Sequence, residues 1–171
     1  MPRPRRPAPC SPRRESPDER RAHLQARAHP VIALRDRLAA PGYVARLEAA
    51  LVDVCRRSGV VGAHRITGRC GVRVPGRAGQ PAAEIAAIGV RMTGSVTQHG
   101  FALDCDPDLA AFDSIVQCGL QDAAVTSLSV ATGRRIGPDD VRELVAHAVV
   151  YASTGTAPTR RKASCRGRRY A

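Results

Sequence analysis

The chain of 171 residues carries 27 Lys+Arg against 15 Asp+Glu, a formal net charge of +12. The excess sits at the ends. Residues 1–27 hold eight Arg and three acids, residues 160–171 hold five Arg and one Lys, and residues 28–159 hold thirteen Arg against twelve acids. A near-neutral body argues against a basic groove built into the fold, which needs Lys and Arg clustered on one face. With no Trp, two Phe and three Tyr, the chain also lacks the interleaved aromatics of a base-stacking platform.

Residues 1–27, rich in Pro and Arg, bury too little apolar surface to offset ordering entropy and are predicted to be a disordered basic arm. The folded body is expected over 28–152, and 153–171 reads as a second disordered basic tail. Within the body, the apolar run His29–Leu34 predicts a strand. Tyr43 to Ser58 places Val44, Leu47, Leu51 and Val54–Cys55 on one helical stripe, closed by Gly59. Gly71–Val74 predicts a short strand ended by Pro75, and 75–83 a Gly/Pro loop. Glu84–Arg91 reads as a largely buried strand, and Ser95–Asp104 as its partner, turned around Thr93–Gly94. Residues 105–111 read as a loop, and Phe112–Val116 leads into Cys118–Gly119. A last helix starts at Pro138, with Val141, Leu144, Val145 and Val149 on one face. Strands mixed with two good helices define an α+β, or mixed α/β, class.

No run of ~18 apolar residues supports a transmembrane helix, and the N-terminus lacks the apolar core of a secretory signal. The six cysteines (Cys10, Cys55, Cys70, Cys105, Cys118 and Cys165) are spaced widely and irregularly, with no C-x-x-C pair. That spacing argues against zinc, and no metal site is expected. Without an export signal the thiols are expected to be reduced and the location cytoplasmic.

Chemistry-bearing residues are few. Cys118 follows an apolar run and precedes Gly119. Such a thiol can be a nucleophile beside backbone N–H groups free to hold an oxyanion, or a small buried core thiol. His99 is a site residue or a satisfied histidine. Gly89 and Gly100, inside strand patterns, signal bulges or close backbone approach to a ligand.

Order and spacing tie these residues together. EIAAIGVR (84–91), HGFALDCDPDLAAFDSIVQCG (99–119) and VTSLS (125–129) resemble the lipoyl(octanoyl) transferase family, the protein octanoyltransferases of lipoate biosynthesis. The family pattern runs close to K-I-A-x-I/L-G, then H-G-F/L-A-L-N-V-N-x-D-L-x-x-F, then P-C-G, then a V-T-S-L-like run. GVRV (71–74), RLEAALVDVC (46–55) and HPVIALRD (29–36) extend the likeness upstream. It implies an incomplete biotin/lipoate-protein-ligase-like catalytic domain, a mixed sheet flanked by helices. Octanoyl-acyl carrier protein would acylate Cys118 as a thioester. The acceptor would be a lysine of a lipoyl domain, in a 2-oxoacid dehydrogenase or the glycine cleavage H protein. No cofactor is implied. Ala87, Ile88 and Gly89, with His99, Gly100, Phe101 and Ala102, match the segments around the acyl chain and its carbonyl.

Two departures stand out. The family lysine before I-A-A-I-G is Glu84 here, and a carboxylate near a thiol raises its pKa where an ammonium lowers it. The family's N-terminal R-G-G-x-x-T-x-H-G-P-G-Q is replaced by Arg- and Pro-rich sequence, in which only Gln25 fits the register. A non-catalytic remnant of the family is therefore the alternative reading. A third is a binder of anionic polymers that works through the basic tails.

Overall fold

The computed structural model describes residues 24–34, 40–76, 80–112 and 124–154. Cys118 lies outside the described residues, as do nearly all of the arm and tail expected to be disordered.

Five strands form one sheet: β1 (Gln25–Ala28), β2 (His64–Ile66), β3 (Arg69–Val74), β4 (Ala83–Thr93) and β5 (Val96–Asp104), in the order β1-β5-β4-β3-β2. All four pairings are antiparallel, and an isolated parallel bridge joins Glu84 to Val125. Two hairpins build most of the sheet. β2 turns into β3 through Gly68 (φ 80°) and β4 into β5 through Gly94 (φ 64°), each in the left-handed region that glycine adopts without steric cost.

The helices are α1 (Ala40–Arg57), the short α2 (Leu128–Thr132) and α3 (Pro138–Thr154). Tyr43, Leu47, Leu51, Val54 and Cys55 of α1 are all buried, as their 3.6-residue spacing requires. Past the helix end, Gly59 takes φ 99°, and its N–H bonds to the Arg56 carbonyl at 3.0 Å. Ser127 caps α2 by accepting from the Val130 N–H, and Gly133 ends it. Asp139 and Asp140 occupy the first turn of α3, where carboxylates suit the helix dipole. Its buried stripe is Val141, Val145, Ala148 and Ala152, with Leu144 and Val149 packed beside it.

Both long helices pack on each other and on the sheet, and one apolar core lies between them. The sheet is correspondingly one-sided. Ala86, Ile88, Val90 and Met92 of β4 meet the core, while Ala87, Gly89 and Arg91 between them are exposed. The open face therefore begins at Ala87.

The expected strand over His29–Leu34 is corrected in register. The strand is Gln25–Ala28, so three residues assigned to the basic arm belong to the sheet edge. Pro30 offers no N–H, which ends β1 at Ala28. The chain regains β5 two residues further on, where the Thr97 N–H bonds to the Ile32 carbonyl at 2.9 Å and the Leu34 N–H to the Ser95 carbonyl at 2.8 Å. A 3-10 turn, Leu109–Phe112, closes the expected loop 105–111.

Candidate active site

The interrupted edge opens the most suggestive part of the molecule. β1 pairs with β5 over 101–104, and contact resumes at 95–97. Between these stretches β5 distorts: His99 has φ 62°, the one positive φ among described non-glycine residues. The cross-strand register sets His99 opposite Val90, whose side chain packs on the core. His99 is nevertheless exposed, because the left-handed backbone breaks the strand's two-residue alternation.

Here a depression of about 280 Å³ is lined by Gln25, Arg27, His29, Ala87, Gly89, His99, Gly100, Phe101 and Ala102. Six of the seven residues expected around an acyl chain thus share one trough. Ile88 is the exception: it packs against the core and lines a neighbouring cavity instead. The two glycines serve opposite purposes. A Cβ on Gly100 would sit 2.0 Å from the Ala28 carbonyl oxygen and 2.8 Å from Pro30 Cδ, so glycine alone lets β1 close on β5. A Cβ on Gly89 would meet nothing within 4 Å, so its missing side chain is simply open trough.

Arg27 Nε and Nη2 both donate to Gln25 Oε1, at 2.9 and 2.6 Å. Gln25 Nε2 in turn donates to Asp104 Oδ1 at 2.5 Å. Burial raises the Asp104 carboxyl to about 6; the Gln25 hydrogen bond opposes the rise, the Glu84 charge adds to it, and Arg27 opposes it. Asp104 does not line the trough, but it holds Gln25, which does. The family pattern H-G-F/L-A-L-N has Asn where HGFALD has Asp104.

Glu84 sits at the other end of the open face, and its setting is not that of a lone carboxylate. Val72 pairs with Ala86, but Arg73 pairs with Glu84, so Ile85 is an extra residue in a β-bulge. The bulge brings Arg73 Nη2 to 2.6 Å from Glu84 Oε2, with both side chains more than nine-tenths buried. Burial raises the Glu84 pKa and the Arg73 charge opposes the rise. The backbone of Glu84 is pinned as well: its N–H donates to the Ala124 carbonyl, and its carbonyl accepts from Thr126 N–H, both at 2.8 Å. The segment 124–126, just beyond the Cys118 stretch, therefore lies beside β4 at Glu84. The carboxylate at the family lysine position is thus one half of a buried ion pair with Arg73.

Among the described thiols, Cys55 and Cys105 are buried and Cys70 is exposed. Burial raises Cys55 to about 12, with the Cys105 thiol beside it adding to the rise, and raises Cys105 to about 11, where a backbone hydrogen bond at Ala26 opposes the rise and Asp104, Asp140 and Asp106 add to it, so neither supplies thiolate at neutral pH. No group of three or more His, Cys, Asp or Glu among the described residues could hold a metal ion. No described helix is long and apolar enough to cross a membrane.

Residues 25–150 match the family model described as "Lipoyl protein ligase A/B catalytic domain", and the chain belongs to that family. Curated relatives narrow the likeness. The chain is 51% identical over 127 residues to the octanoyltransferase of Mycobacterium leprae, covering 74% of this chain and 54% of that protein. It is 52% identical over 130 residues to the octanoyltransferase of Mycobacterium tuberculosis, covering 76% and 55%. The chain thus spans about half the length of the curated relatives it matches. A solved structure, a biotin protein ligase variant from Aquifex aeolicus in complex with biotin, aligns at 12% identity and a TM-score of 0.41, over 64% of this chain and 40% of that one.

Proposed function

We propose that this chain carries the acyl-transfer half of an octanoyltransferase of lipoate biosynthesis. What carries the reading is the 51–52% identity to octanoyltransferases over three quarters of the chain. The trough of small residues on the open face supports it. In this reading the Cys118 sulfur attacks the thioester carbonyl of octanoyl-acyl carrier protein, and the carrier thiol leaves. The amine of a lipoyl-domain lysine then attacks the Cys118 thioester. Cys118 leaves as thiolate and the new amide nitrogen sheds a proton. The reaction belongs to the cytoplasm, where both protein partners would be met.

The octanoyl chain lies along Ala87, Gly89, Gly100 and Ala102, with Phe101 and His99 at its borders. Such a slot needs side chains no larger than a methyl on the sheet face, and these four residues meet that need. Ile88 supports the slot from the core side. Glu84, at the family lysine position, works only as half of the Arg73 pair. The pair is close to neutral, so Glu84 does not penalise a nearby thiolate as a free carboxylate would.

Incubation of the 171-residue chain with octanoyl-acyl carrier protein is expected to add one octanoyl group, located on Cys118 by peptide mass spectrometry. Absence of the adduct from a folded chain sinks the thioester mechanism. A second reading, a non-catalytic member of the family, is favoured by one observation: the cation at position 84 is replaced by a buried ion pair. Restoring it requires both changes, Arg73→Met with Glu84→Lys, because Glu84→Lys alone sets two like charges in contact. Acylation by that double variant but not by the parent chain would support the second reading.

A further inference from the structure

Outside the trough, and sharing no residue with it, an open depression of about 440 Å³ is lined by Asp106, Ser129, Val130, Gly133, Arg134 and Arg135. The Arg135 side chain is 80% exposed and gives only its Nε to Asp106 Oδ2, at 3.0 Å. Arg134 gives Nη2 to the Ser58 carbonyl at 2.8 Å, which sets its side chain against the end of α1. Two more exposed arginines, Arg56 and Arg57, form that end, and Arg57 meets Asp53 only at 3.9 Å. Of the neighbouring carboxylates, Asp106 is taken by Arg135 and Asp140 by the Gly137 N–H at 2.8 Å. Residues 28–159 hold thirteen Arg against twelve acids, so four arginines grouped here are a local segregation and not a share of a general excess. The chain itself ties this face to the trough. The Asp106 N–H bonds to the Leu24 carbonyl at 3.1 Å, and the next residue, Gln25, lines the trough. Cys118 lies between Asp106 and Ser129 in sequence.

We propose that this arginine face docks the acyl carrier protein, through a patch of carboxylates on the carrier. The proposal rests on the reading of the chain as an octanoyltransferase and names where its donor binds. Charge selects a carboxylate-bearing partner: exposed guanidinium groups pair with carboxylates and steer their approach. Val130, 55% exposed in the floor of the depression, adds a small apolar contact. Reach selects the donor over the acceptor. A carrier presents its acyl group on a long, flexible phosphopantetheine arm, so its body can sit beside the site and still deliver the thioester to it. A lipoyl-domain lysine has only its four-carbon stem and must bring its domain onto the site itself. A face that adjoins the trough yet shares none of its residues suits the first partner.

Fluorescence anisotropy of labelled octanoyl-acyl carrier protein, titrated with the full chain, tests this. The parent is compared with Arg134→Glu/Arg135→Glu and with Arg135→Glu alone, which leaves the Arg134–Ser58 hydrogen bond in place. The double variant is expected to bind at least about tenfold more weakly and the single variant about threefold, the loss appropriate to a few exposed charge pairs. Added salt should weaken the parent more than the double variant. The basic ends are identical in all three proteins, so differences among them report this face alone. Equal carrier affinity in parent and double variant overturns the proposal, as does a parent that does not bind the carrier. A loss seen with a lipoyl domain and not with the carrier overturns it too. Acylation of Cys118 by octanoyl-pantetheine, a thioester without the carrier, separates the two readings. It is expected to proceed at the same rate in parent and variants. If it proceeds while carrier affinity is indifferent to the arginines, the docking face fails and the transferase reading stands. If Cys118 is acylated by neither donor while carrier binding still depends on Arg134 and Arg135, the thioester mechanism fails and the docking face stands.

Discussion

The trough and the charged corner lie within a few residues of each other on β4, yet they are built on opposite principles. The trough is made by omission: Ala87 and Gly89 face Ala102 and Gly100 across the strands, and nothing fills the space above Gly89. The corner is made by insertion: the bulge at Ile85 brings two charges together and buries both. At Gly89 the trough should therefore tolerate an added side chain at little cost to folding, whereas the corner should tolerate no single change. A site can thus be shaped cheaply in one place and held rigidly in the next.

The largest effect is expected at the corner. Glu84→Ala or Arg73→Ala alone strands a buried charge and should lower stability by about 3–5 kcal/mol in urea denaturation, while Arg73→Met/Glu84→Gln should cost under about 1 kcal/mol. Equal losses in single and double variants would show that the pair is not a unit. Next comes Gly100→Ala, which drives a methyl into the Ala28 carbonyl. A loss of about 3 kcal/mol is expected, with faster amide exchange at Ala26 and Ala28 as β1 lifts away.

Asp104 gives a pH-dependent effect of similar or smaller size. Its folded pKa, about 6, lies above the ordinary 3.8, so the folded chain binds more protons in that interval. Stability must then fall as pH rises from about 4 to about 6 and stay lower above it, by at most about 3 kcal/mol. Asp104→Asn should remove that slope and raise the melting temperature at pH 8 more than at pH 4; a parallel pH profile in the variant would contradict it. The smallest stability effect belongs to Gly89, the open position of the trough. Gly89→Leu should shift stability by only about 0.5 kcal/mol, yet slow octanoylation of Cys118 at least about tenfold by filling the slot.

The same contrast explains what could be read from sequence. Local periodicity was enough for α1, for α3 from Pro138 and for the β4–β5 hairpin, because each depends on neighbours a few residues away. The grouping of Ala87, Gly89, Gly100 and Ala102 followed from pattern and resemblance together. The Arg73–Glu84 pair did not, because its partners meet only through a bulge that shifts register by one residue. Nor did the position of β1: an apolar run drew the expected strand to 29–34, while Pro30 moved the real one to a polar stretch. The left-handed backbone of His99 left no trace in sequence either. It comes from the tertiary crossing of the chain after Ala28, not from any preference of histidine.

That one backbone angle has a wider meaning for how the protein could change. A left-handed residue is a standing cost of about 1 kcal/mol, and glycine in its place would remove it. The chain therefore carries an unclaimed stabilising replacement in the wall of its own trough. The imidazole at this place is exposed and contributes nothing to the core, so replacing it changes only the backbone cost and the wall of the trough. Directed evolution for thermal stability alone should find position 99 early, and should lose the trough's ring in doing so.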